Sequence, residues 1–246
     1  MDPLTTAAAS GIQARMQALD MLANNLANSS TGGFKVDREF YSTYLAPELA
    51  GEAGPTVGES PLVQKNWTDF SQGTLLETGN STDLALSGKG FFAVNGPNGP
   101  LYTRNGSFRI SPQGVLVTAE GYPVRLTGGQ VLQVSSLDGL QVQSDGQVMQ
   151  DGNALGQLEL VEFKDPSLLT KTAAAFFQNP GPQTGPRAAV ATEVYQGKIE
   201  SSNGASAEGA VRMVTLMRHF EMLEKAIKIG ADMNRHAIEE VARVGS

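Results

Sequence analysis

The chain has 246 residues, with 18 Lys plus Arg against 25 Asp plus Glu, a net charge of −7, and no cysteine. The missing cysteine excludes disulfides, thiol catalysis, cysteine-bound zinc and iron–sulfur clusters, and the acidic balance argues against the basic face of a general nucleic-acid binder. Charged residues are only 17% and glycines number 28, so many turns and short strands are expected.

The first expected element is a helix. Between Thr5 and Asn28 there is no proline and a single glycine, Gly11. Apolar residues at Ile12, Met16, Leu19, Ala23 and Leu26 form a heptad-like stripe. Pro3 suits a first helical turn, and Ser29-Ser30-Thr31-Gly32-Gly33 predicts the stop. From about Phe34 to Ser202 the pattern changes to β. Asn98-Gly99, Asn105-Gly106, Asp138-Gly139, Asp145-Gly146 and Asp151-Gly152 are turn dipeptides, with short apolar runs such as Phe91-Phe92-Ala93-Val94 between them. An antiparallel sandwich or barrel-like region is expected. Segments 47–61 and 179–186, rich in Gly and Pro, read as exposed loops.

The last element is the longest. Ser206 is a plausible N-cap, and Met213, Leu216, Phe220, Leu223 and Ile227 line one face in a register that continues through Gly230, Asn234, Ala237 and Val241. Arg212, Arg218, Glu221, Glu224, Lys225 and Lys228 lie away from that stripe. A helix of about 37 residues is roughly 55 Å long, a coiled-coil length.

The fold class expected is therefore α+β. Residues 1–31 and 205–246 form a discontinuous coiled-coil helical domain, and 32–204 an inserted, mainly antiparallel β domain. Two paired helices still expose apolar sides, which packing of many copies would cover, so the pattern points to a polymer subunit. No apolar run approaches the roughly 20 residues needed to cross a bilayer, so no membrane insertion is expected. The first ten residues carry no positive charge, unlike a cleavable secretory signal. By that signal alone the chain reads as cytoplasmic, unless export uses a route without cleavage.

Catalytic chemistry finds no support. His219 and His236 are nearly five turns apart on the expected helix, too far to share a metal. Gly88-Lys89-Gly90 lacks the spacing of a phosphate loop and precedes a strand, where its glycines allow a tight turn and Phe91-Phe92 enter the sheet core. There is no G-x-S-x-G elbow, and Glu239 and Glu240 face different ways. No enzyme activity, cofactor or metal is expected. Trp67 reads as a core or interface anchor, and Arg104 as a brace to an acid such as Asp83.

Three blocks are more specific. They are Ala23-Asn24-Asn25-Leu26-Ala27-Asn28 with Gly32-Gly33-Phe34-Lys35, then Thr78 to Val124 with Asp83-Leu84-Ala85, Gly88-Lys89-Gly90-Phe91-Phe92 and Tyr102-Thr103-Arg104-Asn105-Gly106-Ser107-Phe108, then Gly197-Lys198-Ile199-Glu200-Ser201-Ser202-Asn203. In order and content they resemble the bacterial flagellar rod and hook family. Gly204 departs from it, since most relatives place an apolar residue there, usually Val. The length is short for a hook subunit. Arg218-His219-Phe220-Glu221-Met222, with Lys225, resembles the element of proximal rod proteins rather than the distal version.

The resemblance implies a structural subunit of the proximal rod, exported by the flagellar type III apparatus and polymerising with itself and other rod subunits into a periplasm-spanning drive shaft needed for motility. A distal rod or hook-type subunit is the alternative within the family. A self-contained enzyme or binding module with a helical cap is the alternative outside it. By position, Asn24, Asn25 and Asn28 would end the helix and bond its last carbonyls. The resemblance favours polar contacts between subunits instead. The assembly interface expected comprises Leu19, Leu22, Asn24, Asn25, Leu26, Asn28, Phe34, Leu216, Phe220, Leu223 and Ile227.

Overall fold

The computed structural model describes residues 3–44, 60–136, 138–173, 175–181 and 185–244. The fold is α+β, with two long helices and many short antiparallel strands. By contact the chain divides into two units. A helical unit holds Met1–Leu26, Asp37–Trp67 and Ser206–Ser246, and a β-rich unit holds Ala27–Val36 and Thr68–Ala205. Segment 37–67, placed by sequence with the β region, thus groups with the helices. Among the described residues its strands Asp37–Tyr44 and Ser60–Thr68 pair only with each other, and Glu39 lies 3.8 Å from Arg212 of the second helix.

In the helical unit, α1 spans Pro3–Ala27 and α2 spans Ser206–Val244. The α2 stripe is as expected from Met213 to Ile227, while Gly230, next in the expected register, is exposed. Leu216 is buried, and Met213, Phe220, Leu223 and Ile227 are half-buried, while their neighbours along the helix are mostly exposed. The α1 stripe differs. Its buried row is Ala14, Ala18 and Leu22, whereas Met16 and Ala23 are exposed. Ala18, Leu22 and Leu216 form one cluster with Leu19 against it. Small side chains let helix backbones approach closely, so the row with alanines is the buried one, and of the expected stripe Ile12, Leu19 and Leu26 are half-buried beside it. The side chains of Asn234, Ala237 and Val241, most of the 47–61 loop, and residues 182–184 of the second loop lie outside the described residues.

The β-rich unit is built on a six-stranded antiparallel sheet. Its order is Thr170–Ala173, Phe176–Gln178, Gly99–Thr103, Phe91–Gly96, Leu160–Glu162 and Arg187–Ala188. Successive residues of Phe91-Phe92-Ala93-Val94 point to opposite faces, and all four are buried. Phe92 and Val94 join the main core with Leu84, Leu86, Phe108 and Leu116. Phe91 and Ala93 join a second core with Tyr102, Val161, Phe163 and Phe177. A strand covered on both faces reads as a continuous apolar run, as this one does. Ribbons of two or three strands complete the unit, in place of the second large sheet of a sandwich.

The turn dipeptides divide: the hairpin at Asn98-Gly99 turns on Pro97-Asn98 with Gly99 already in the strand, and Asn105-Gly106 links strands that do not pair with each other. Asp151 and Gly152, both at positive φ (51° and 81°), make the two-residue turn between Gln147–Gln150 and Asn153–Gln157. Gly88 and Gly90 approach the backbone and side chain of Ala191 and Thr192 too closely to admit a Cβ, which explains the glycine pair before Phe91.

Candidate functional site

The three sequence blocks meet at a buried carboxylate in the β-rich unit. Each supplies one charge. Lys35 comes from the turn after α1, Arg104 from the end of Gly99–Thr103, and Glu200 from Lys198–Glu200, a strand paired with Leu75–Glu77. Lys35 Nζ donates to Glu200 Oε1 at 2.6 Å, and the Gly73 N–H donates to the same oxygen at 2.8 Å. Arg104 Nη1 reaches Glu200 Oε2 at 3.4 Å, and Nη2 donates to the Gly88 carbonyl. Lys35 Nζ also donates to the Ser71 carbonyl at 2.6 Å. The Lys35 and Glu200 side chains are 0% exposed and that of Arg104 is 3%.

Around this centre the backbone is cross-tied. Gly33 N–H donates to the Glu200 carbonyl at 2.7 Å, and Ser201 N–H to the Thr74 carbonyl at 2.9 Å. Lys171 donates to the Lys35 carbonyl and places its ammonium 4.0 Å from the Phe34 ring centre. The Arg104 guanidinium lies 5.1 Å from the ring centre of Phe91. Burial pulls the Lys35 ammonium and the Arg104 guanidinium below their ordinary values, and the Glu200 carboxylate opposes that pull in both. One carboxylate serves two cations, the Gly73 N–H and the Ser71 and Gly88 carbonyls add further bonds, and the buried Arg104 Nε has no hydrogen-bond partner among the described residues. Removing one partner of such a buried set is far more costly than its net contribution, because the survivors keep their desolvation penalty.

Sequence reading placed the brace wrongly. Arg104 pairs with Glu200, whereas Asp83 accepts a hydrogen bond from Asn80, three residues away. Trp67 is 43% exposed, which removes its core reading. Of the expected interface residues, Leu19, Leu22 and Leu216 come together within the helical unit, and Phe220, Leu223 and Ile227 continue that face of α2. Phe34 is fully buried in the β-rich unit. Asn24 is exposed, and Leu26 and Asn28 are half-buried at the end of α1. Asn28 accepts the Thr31 N–H on its carbonyl and the Thr31 hydroxyl on its side chain.

Asn25 is used within the chain. Its Nδ2 donates to the Asp37 carbonyl at 2.8 Å and its Oδ1 accepts the Asp37 N–H at 3.0 Å. Leucine cannot replace either bond. Asn25→Leu is expected to destabilise the helical unit by about 1–3 kcal/mol, through the loss of two part-buried hydrogen bonds to the Asp37 backbone. Urea unfolding followed on α-helix ellipticity checks this, and an unchanged midpoint would count against it.

Gly204 has a local reason. A Cβ there would overlap Val36 Cγ1. Gly204→Val is expected to cost about 1–3 kcal/mol through overpacking, and Val36→Ala in the same chain should recover most of it. Thermal midpoints of the single and double variants decide. A double variant no more stable than Gly204→Val would show that this contact is not the constraint.

Among the described residues no group of metal-ligating side chains is assembled, and no helix is long and apolar enough to cross a membrane. Two family models match the chain. One described as flagella basal body rod protein covers residues 6–35, and one described as the flagellar hook protein FlgE/F/G D1 domain covers residues 85–150. The chain is 33% identical to the flagellar basal-body rod protein FlgF of Caulobacter vibrioides, over 92% of each chain. It is 32% identical to the rod protein FlgG of Buchnera aphidicola subsp. Schizaphis graminum, over 91% of this chain and 94% of that one. It is 29% identical to FlgG of Bacillus subtilis, over 89% and 91% respectively.

Proposed function

The chain belongs to the flagellar basal-body rod protein family, a structural and not an enzymatic family, and on that premise we propose that it polymerises through its two terminal helices into the rod that carries motor torque to the hook. One observation carries this reading. The helix α2 carries large apolar side chains on two opposite sides. The first, through Leu216, turns toward the cluster with α1. The second carries Val211, Val214, Met222, Ile229 and Met233, all exposed, with Met222 at 59% and Met233 at 67%. At 3.6 residues per turn these five fall within a stripe roughly 100° wide, which they share with the charged Arg218, Lys225 and Asp232. A helix packed among copies would cover these large apolar side chains, which a solitary helical cap leaves in water.

In this reading the two helices form a coiled-coil assembly domain, and the expected seam residues stabilise each subunit as well as its contacts. Asn24, Asn25, Leu26 and Asn28 lie at the end of α1, where packed subunits meet. The rod lies in the flagellar basal body, spanning the periplasm. The chain reaches it through the flagellar type III apparatus without a cleaved signal. The Arg218-His219-Phe220-Glu221-Met222 element supports a proximal position.

Placing two charges in the outer row tests the proposal. A Met222→Asp, Ile229→Asp variant, expressed as the only copy, is expected to leave cells without complete rods and non-motile. Both positions are exposed, so its monomer should unfold within about two degrees of the parent. Normal swimming with complete rods in isolated basal bodies would refute polymerisation through this face.

A further inference from the structure

The chain passes between the two units four times, after Leu26, Val36, Trp67 and Ala205. Three of those passages lie within two residues of one hydrogen-bonded side chain, that of Asn203, or of its direct partners. Its Oδ1 accepts the Val36 N–H at 2.9 Å, at the second passage. Its Nδ2 donates to the Asp69 carbonyl at 2.6 Å, beside the third, and lies 3.1 Å from both the Ser71 carbonyl and the Ser71 hydroxyl. Asn203 itself precedes the fourth. The segment entered by the first passage is held to the same strand, through Gly33 N–H to the Glu200 carbonyl and Asn203 N–H to the Phe34 carbonyl. Asp69 N–H closes the set on the Val36 carbonyl at 2.9 Å.

The polarity of these partners selects the residue type. Val36 offers a donor, whereas Asp69 and Ser71 offer acceptors. A carboxamide, with an acceptor on one arm and two donors on the other, satisfies both sides at once. Aspartate would turn an oxygen on the Asp69 carbonyl, and an apolar side chain would leave the Val36 N–H without its bond.

We propose that Asn203 is a positioning residue that clamps the covalent passages into one mechanical node, so that force entering the β-rich unit along any one strand is shared by the others. The proposal rests on the rod reading for its purpose, not for its geometry. A chain that transmits torque is pulled at its passages. Separate strands would each be loaded alone and would peel from the unit one hydrogen bond at a time. Tied at Asn203, they must break together.

The experiment has two arms, each with Asn203→Asp and Asn203→Ala in the full chain. In the first, amide hydrogen exchange is measured on the purified protein. Exchange at Val36 in Asn203→Ala, and at Asp69 in both variants, is expected to rise by about tenfold or more through local opening, while Ala93 and Leu116 in the sheet keep their parent rates. In the second, each variant is the only copy in a flagellated strain. Rods are expected in normal number, but swimming should fall steeply as the medium is made viscous. A purely structural role would instead lower the number of rods without any added sensitivity to load. Unchanged exchange at Val36 and Asp69, exchange raised across the whole unit, or parent-like swimming under viscous load would each overturn the clamp. Failure of the rod reading is distinguishable, because a strain deleted for the gene would then keep its flagella whatever the exchange rates show.

Discussion

Glu200→Ala is expected to be among the most damaging single changes in the chain. The substitution removes the carboxylate that Lys35 and Arg104 share and leaves two cations in a site where the side chains are almost wholly excluded from water. It also removes the acceptor of the Gly73 N–H. Breaking a buried ion pair from one side typically costs about 3–5 kcal/mol. For a chain of this size that is a fall in thermal midpoint of roughly 6–20 °C. Glu200→Gln should fall between the parent and alanine, since it keeps an acceptor but not the charge. Pairing Glu200→Met with Lys35→Met should be milder than Glu200→Ala, because one of the stranded cations goes as well. Calorimetry on the four proteins checks the order. A Glu200→Ala midpoint within about two degrees of the parent would show that the buried charge cluster contributes little to stability.

The second large effect is expected at Gly33. This residue sits at φ 64°, where a side chain is strained, and a Cβ would overlap the backbone of Arg104 and Asn105. Its N–H also donates to the Glu200 carbonyl. Two costs therefore add in Gly33→Ala, about 1–3 kcal/mol for the left-handed backbone and a comparable amount for the overlap. Gly79 separates them. It has φ 73°, and a Cβ added there would meet nothing within 4 Å, so Gly79→Ala carries the backbone cost alone. Urea midpoints should rank parent, Gly79→Ala, Gly33→Ala. Equal losses in the two variants would mean that close packing around Gly33 is unimportant.

Gly33 and Glu200 both lie in the blocks that carry the family resemblance, so their neighbourhood is legible in the sequence. Their roles are not. The available signal is weak, because the motifs in these blocks carry Lys35, then Asp83, Lys89 and Arg104, then Lys198 and Glu200, and nothing in them singles out Lys35, Arg104 and Glu200. For Arg104 the sequence suggests Asp83, the nearer acid along the chain. The actual partner is 96 residues away, and Lys35 is 165 residues from it. Nothing in local spacing ranks one acid above another when the pairing depends on strands that meet only in the folded chain.

The helices divide in the same way. On α2 the large residues Leu216, Phe220, Leu223 and Ile227 recur at helical spacing, and their face is the less exposed one. On α1 the large residues are an incomplete guide, because Ala14 and Ala18 share the buried row with Leu22 while Met16 is 53% exposed. Hydrophobic periodicity finds a face when bulk and burial coincide. It loses the face when close approach favours alanine.

By itself, then, the sequence determined what neighbouring residues decide among themselves: two long helices, the break after α1, the Asp151-Gly152 turn, the Phe91–Val94 strand and the family blocks. These depend on backbone preference and periodicity, which act over a few residues. Only the tertiary structure decided which row of α1 packs, that residues 37–67 join the helices, and that Lys35, Arg104 and Glu200 share one buried site with Asn203 beside it. Burying a charge is favourable only when its partner arrives with it, and here the partners are delivered by strand pairing between distant parts of the chain.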